Sequence, residues 1–285
     1  MSGTIQKKYK LYAHAKINLS LEILGKLSNG YHEINSLIQT ISLADQIIFE
    51  PDKKIIIDGG ITSNVKNDLI YQAVILLQKL FHCNFGARIT LIKNIPVSSG
   101  LGGGSSNAAV VLKGLNLLWN LGLKNTDLES IGSKLGSDVP YFIRGGLVLV
   151  QNSGEKLHSI KTNFKKWVVV CFPGFTVKDK TKIMYSNLLK EDYTKGENTQ
   201  KLLEAITLEK PISQYLFNIF DNIAPRTFER FTRFFDDINL LTDNKFILCG
   251  AGPSIFLLSD TLSNAKIIEQ KIKEKGFWVK VARTL

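Results

Sequence analysis

Between Ala15 and Leu24 the chain alternates: Ile17, Leu19, Leu21 and Ile23 fall on one side, and Lys16, Asn18, Ser20 and Glu22 on the other. Period two is the pattern of a strand, here with one side buried and one polar. A glycine-bounded turn, GKLSNGYHE (Gly25 to Glu33), follows. From Asn67 to His82 the period changes, with Leu69, Ile70, Ala73, Val74, Leu77 and Leu80 at helical spacing. ARITLIKNI, from Ala87 to Ile95, predicts another strand. Beyond it Ala108, Val111, Leu112, Leu115 and Leu118 form one helical stripe. Thr126 and Glu129 make a capping-box pair that predicts a helix start, with Gly136 as its stop. GSDVPYFIRGGLVLV, Gly136 to Val150, reads as a turn leading into a strand.

The second half opens near KKWVVVCFPG (Lys165 to Gly174), a buried-looking strand, and passes a polar loop at KEDYTKGENTQ (Lys190 to Gln200). Its end is clearer: KFILCG, SIFLL, a helix over about Ser263–Lys275, then FWVKVA. That strand–strand–helix–strand order predicts an α+β layer with helices on one face of a sheet. No repeat or low-complexity segment interrupts the pattern. Two domains are expected, over residues 1–155 and 156–285.

A chain of 285 residues that is 44% hydrophobic can bury a substantial core. No run reaches the roughly 18 apolar residues of a membrane span, and the N-terminal stretch lacks the apolar segment of a secretory signal. Cys83, Cys171 and Cys249 have no metal-ligand spacing and read as free thiols of a reducing cytoplasm, the last two in apolar settings. The net charge of +11 fits either a nucleic-acid binder or a protein handling anionic small molecules. The lysines are spread along the chain and no nucleic-acid module appears, which favours small phosphorylated ligands.

Four of the five positions from Gly100 to Gly104 are glycine, interrupted by Leu101 and followed by Ser105 and Ser106. Glycine admits close backbone approach, and a helix start offers unpaired amides and partial positive charge. The stretch therefore predicts a phosphate cradle. It is not a Walker loop, because Gly-Ser-Ser stands where Gly-Lys-Ser/Thr is required. A dinucleotide-binding unit needs a return strand where TDLESIGSKL predicts a helix, and protein-kinase signatures are missing.

PVSSGLGGGSSNAA (Pro96 to Ala109) resembles the second motif of the GHMP kinases. CGAGPSIF (Cys249 to Phe256) resembles the third, and AKINLSLEI (Ala15 to Ile23) the first. The match runs in the right order along essentially the whole chain. Together with GYHE and GSDVPYF, it is most similar to the branch whose members phosphorylate 4-diphosphocytidyl-2-C-methyl-D-erythritol. His14 departs from the proline often found there, and Asn218-Ile219-Phe220-Asp221 is a loose version of the family's segment.

The resemblance implies a two-domain fold, an N-terminal ribosomal-protein-S5-like α/β domain and a C-terminal ferredoxin-like α+β domain, with the active site in the cleft between them. It implies a bacterial cytoplasmic enzyme using ATP with Mg²⁺ on a small-molecule cytidine diphosphate, with no nucleic acid or membrane, as monomer or homodimer. ATP is expected on Pro96, Val97, Ser98, Ser99, Gly100, Leu101, Gly102, Gly103, Gly104, Ser105 and Ser106, the two last also being candidate metal ligands. Asp138 is implied as catalytic base, where its setting alone would suit a turn or cap aspartate. Lys16 is implied to keep that base ionised and polarise the attacking hydroxyl. Asn18, Tyr31, His32, Gly250 and Gly252 are implied to bind the acceptor, Tyr31 by stacking and His32 along the base edge. The rival readings are another GHMP kinase, of mevalonate or homoserine type, and a nucleotide-binding protein without chemistry. The presence of both Lys16 and Asp138 speaks against the second.

Overall fold

The computed structural model describes residues 8–59, 68–242 and 244–285. It divides into two compact units: one of residues up to His14 with Ala44–Ile95 and Gly102–Arg144, the other of Ala15–Leu43, Pro96–Leu101 and Gly145–Leu285. Two long strands, β1 (Tyr9–Lys26) and β2 (His32–Glu50), run through both.

In the first unit, β3 (Ile55–Asp58) precedes helix α1 (Leu69–Leu80), which Asp68 caps by accepting from the Ile70 N–H at 2.8 Å. The expected start at Asn67 lies outside the described residues. Strand β4 (Ala87–Ile92) pairs parallel with β3 and antiparallel with β2, opposing Gln46 to Ile92 and Glu50 to Arg88. Helix α2 (Gly103–Leu118) follows the glycine stretch and buries Ala108, Val111, Leu112 and Leu115. Gly114 admits the Phe49 ring, which a Cβ there would strike. Helix α3 (Asn125–Gly132) begins one residue ahead of Thr126: Asp127, not Glu129, closes the cap by accepting from the Lys124 N–H at 2.8 Å. It ends at Gly132, four residues before the expected stop. The stretch VPYFIR is not strand but a short helix, α4 (Val139–Arg144), with its first five residues buried.

In the second unit, β5 (Leu147–Asn152) pairs antiparallel with β2 and with β6 (Lys156–Ser159). A separate sheet contains β7 (Trp167–Phe172), whose buried Val168–Cys171 run matches the sequence pattern. Helices α5 (Lys180–Ser186) and α6 (Glu197–Thr207) come next; the end of the expected polar loop opens α6. Strand β8 (Phe217–Asn218) pairs parallel with β1 and leads to α7 (Phe220–Thr227) and α8 (Glu229–Asn239). Then come β9 (Ile247–Leu248), β10 (Ile255–Ser259), α9 (Leu262–Glu274) and β11 (Trp278–Arg283). The separate sheet has the order β11-β7-β10-β9, with α9 packed on β7, β10 and β11. Leu21, Val169, Phe220, Phe231, Leu257 and Ile268 contribute to one buried apolar cluster there. Among the described residues no helix is long and apolar enough to cross a membrane.

One expectation about β1 fails. Its polar side is as buried as its apolar side, with Lys16 5%, Asn18 3%, Ser20 0% and Glu22 0% exposed.

Candidate active site

A buried polar row survives only if each group is hydrogen-bonded. Lys16 Nζ donates to Asn18 Oδ1 at 2.6 Å, and Asn18 Nδ2 to Ser36 Oγ at 2.9 Å. Ser36 Oγ donates to the Ser20 carbonyl at 2.6 Å, while Ser20 Oγ accepts from the Leu37 N–H and the Thr199 hydroxyl. Glu22 accepts from the Thr199 N–H at 2.8 Å and the Asn198 side chain at 2.9 Å, where a carboxylate also suits the start of α6. The row fixes Lys16 and Asn18, and the Lys16 N–H donates to the Leu101 carbonyl at 3.0 Å. The first motif is thereby tied to the second.

The third motif forms the turn from β9 to β10. Gly250 lies so close to β1 that a Cβ would stand 3.0 Å from Lys16 Nζ and 3.5 Å from Asn18 Oδ1. Gly250 and Gly252 both have positive φ, +59° and +75°, a region that glycine enters at no steric cost. A Cβ on Gly100 would strike the Cys249 carbonyl and lie 2.7 Å from that of Gly252, and the Ser254 N–H donates to the Ser99 carbonyl at 2.9 Å. The two glycine turns therefore pack backbone on backbone. Asn218 Nδ2 donates to the Leu248 and Gly250 carbonyls, both at 2.8 Å, and Asp221 accepts from the Leu248 N–H. Burial pushes the Asp221 carboxyl up to about 7. The loose Asn-Ile-Phe-Asp segment thus pins the third motif in place. The Cys249 thiol is driven up to about 12 by burial and the Cys171 thiol is raised likewise, so neither serves as a nucleophile.

The helix side of the second motif belongs to the first unit. Gly102, with φ +74°, turns the chain into α2, whose first internal bond is Ser106 N–H to the Gly102 carbonyl at 2.9 Å. The amides of Gly103, Gly104 and Ser105 precede that bond and belong to the donors a helix leaves unpaired. Gly104 is exposed and packs against nothing that a Cβ would hit, the nearest atom being Leu69 Cδ1 at 3.8 Å. Packing does not require glycine there. Lys93, which the sequence reading missed, stands beside Gly103 and pairs with buried Asp45. Ser106 is buried and donates to the His14 carbonyl at 2.7 Å, whereas Ser105 is only half-buried. Pro96 to Leu101 lie in the second unit.

Asp138 is exposed, one residue ahead of α4, whose buried side chains and a Lys113 bond to the Ile143 carbonyl at 2.6 Å hold it firmly. At the β1–β2 turn, Tyr31 presents a 67% exposed ring. His32 lies 5.1 Å from the Tyr185 ring and 6.3 Å from that of Tyr193. Partial burial, then the Lys26 charge, hold His32 below the ordinary histidine value, which favours the neutral imidazole, a ring with one donor and one acceptor nitrogen. Tyr185, which the structure brings beside His32, did not stand out in the sequence, where it follows Ile183 and Met184.

Residues 68–146 match the family described as the GHMP kinases N terminal domain. A 4-diphosphocytidyl-2-C-methyl-D-erythritol kinase of Dehalococcoides mccartyi is 37% identical over 277 residues, 96% of this chain and 98% of that protein. One from Clostridium botulinum is 36% identical over 279 residues, 96% and 99% of the two chains. A crystal structure of 4-(cytidine 5'-diphospho)-2C-methyl-D-erythritol kinase matches with a TM-score of 0.83 at 28% identity, covering 96% of this chain and 99% of its own.

Proposed function

Because this chain belongs to the 4-diphosphocytidyl-2-C-methyl-D-erythritol kinases, a branch of the GHMP kinases, we propose that it moves the γ-phosphoryl group of ATP onto the 2-hydroxyl of that cytidine diphosphate, in the non-mevalonate route to isoprenoids. The observation that carries the reading is the buried Lys16–Asn18 pair beneath the Gly250 turn. A lysine that is almost inaccessible, hydrogen-bonded into a polar row and topped by Gly250, which has no side chain, suits chemistry better than solubility.

Transfer to an alcohol needs a positioned hydroxyl, a base for its proton and positive charge for the moving phosphoryl group. Asp138 takes the hydroxyl proton as the oxygen attacks phosphorus and the bond to the ADP oxygen breaks. Lys16 polarises that hydroxyl, and Asn18 orients lysine and acceptor. The amides from Gly103 to Ser105 hold phosphate oxygens, with Pro96 to Leu101 and Ser106 shaping the loop. Gly250 leaves room for the acceptor beside Lys16 and Asn18, and Gly252, where a Cβ would strike Leu248 and Phe231, shapes the turn that carries it. Among the described residues no group of three histidine, cysteine or acidic side chains could hold a metal ion. Mg²⁺ would be held by the nucleotide's phosphate oxygens with the Ser105 hydroxyl as a candidate ligand from the loop, and would supply positive charge against the phosphates.

The cytosine ring is held by Tyr31, His32 and Tyr185. Base stacking is worth roughly 1–3 kcal/mol, so Tyr185→Ala raises the KM for the cytidine substrate about tenfold or more. The KM for ATP stays unchanged. Steady-state kinetics with each substrate varied in turn check this; a rise confined to ATP would overturn the base site.

A further inference from the structure

Helix α5 opens with a lysine that is only 7% exposed, which a short polar surface helix does not call for. Lys180 Nζ donates to the Gly252 carbonyl and, at 3.3 Å, to the Ser98 carbonyl. One carbonyl belongs to each of the two glycine turns that pack backbone on backbone. The titratable groups acting on this ammonium are, among the described residues, Lys16 from β1 and the Cys249 thiol just past β9, with no carboxylate. Burial first, and then the Lys16 charge, bring its pKa down from 10.5 to about 8. A buried cation is costly, and a neutral amide would bridge two carbonyls at less expense. Charge-assisted bonds are stronger and geometrically firmer than neutral ones, so the arrangement favours rigidity over economy.

We propose that Lys180 is a positioning residue for phosphoryl transfer: its ammonium clamps the 98–101 and 250–253 turns to each other and so holds the Gly250 backbone over Lys16 and Asn18. The proposal rests on the catalytic reading of Lys16. Tyr185 lies on the same helix, where its ring packs 5.0 Å from that of Phe220. The base-binding end of α5 therefore has its own anchor and does not depend on the clamp.

The test is the pH dependence of kcat for the full chain with Mg-ATP and the cytidine substrate, in wild type, Lys180→Met and Lys180→Arg. Lys180→Met lowers kcat about 10- to 100-fold, the scale of one charge-assisted hydrogen bond, and leaves the KM for the cytidine substrate nearly unchanged. Wild-type kcat falls as the pH rises through about 8, because the clamp is protonated below that value and lost above it. Arginine stays charged throughout, so Lys180→Arg restores most of the activity and abolishes the alkaline fall. A purely structural lysine would not tie that fall to residue 180. The clamp is overturned if Lys180→Met keeps wild-type kcat, or if the alkaline fall persists in Lys180→Arg, which decides the matter should the methionine variant not fold. Wild type inactive on the cytidine substrate overturns the underlying reading; active wild type with indifferent Lys180 variants overturns the clamp alone.

Discussion

Lys16→Ala reduces kcat by about a thousandfold, the effect of deleting one preorganised charge at a developing transition state. The fold survives. The substitution removes the 2.6 Å bond to Asn18, leaving an orphaned amide oxygen that costs about 1–3 kcal/mol, but it also removes a buried ammonium, which offsets part of that loss. Asn18 keeps its bond to Ser36, and the Lys16 backbone bond to Leu101 needs no side chain. Kinetics paired with thermal unfolding separate the two effects. A fully active alanine variant would remove Lys16 from the mechanism, and one that failed to fold would make the residue structural.

Asp138→Asn has an effect of similar size by another route. The amide has the shape of the carboxylate but cannot accept the hydroxyl proton, and general-base catalysis contributes about 10²–10⁴-fold. Because Asp138 is exposed and the buried side chains of α4 hold the backbone, thermal stability and the affinity for both substrates stay at wild-type values. Single-turnover measurements isolate the chemical step. Wild-type turnover by Asp138→Asn would place the base elsewhere.

What could be read in the sequence was what local periodicity encodes. Strand β1, helices α1, α2 and α9 and the buried β7 run all announce themselves through spacing, and both glycine turns through composition. The misreading of β1 comes from long-range partners. Lys16, Asn18, Ser20 and Glu22 look like a solvent face because their hydrogen-bond partners Ser36, Thr199 and Asn198 lie far along the chain. Six residues give α4 less than two turns, too few for a helical period, and its valine, tyrosine and phenylalanine are strand formers. Pro140, at the second position of α4, sits where a helix tolerates it. Lys180 and Tyr185 hid in a lysine-rich segment whose charge resembled ordinary surface. The resemblance carried the site assignments that spacing alone left open, Asp138 above all.

The most direct test is ADP release from Mg-ATP with 4-diphosphocytidyl-2-C-methyl-D-erythritol, mevalonate and homoserine offered in parallel as acceptors. Turnover with the cytidine substrate alone, lowered about 10²–10⁴-fold in Asp138→Asn, is the predicted result. Turnover with mevalonate or homoserine instead, or ATP binding without transfer to any of the three, would contradict it.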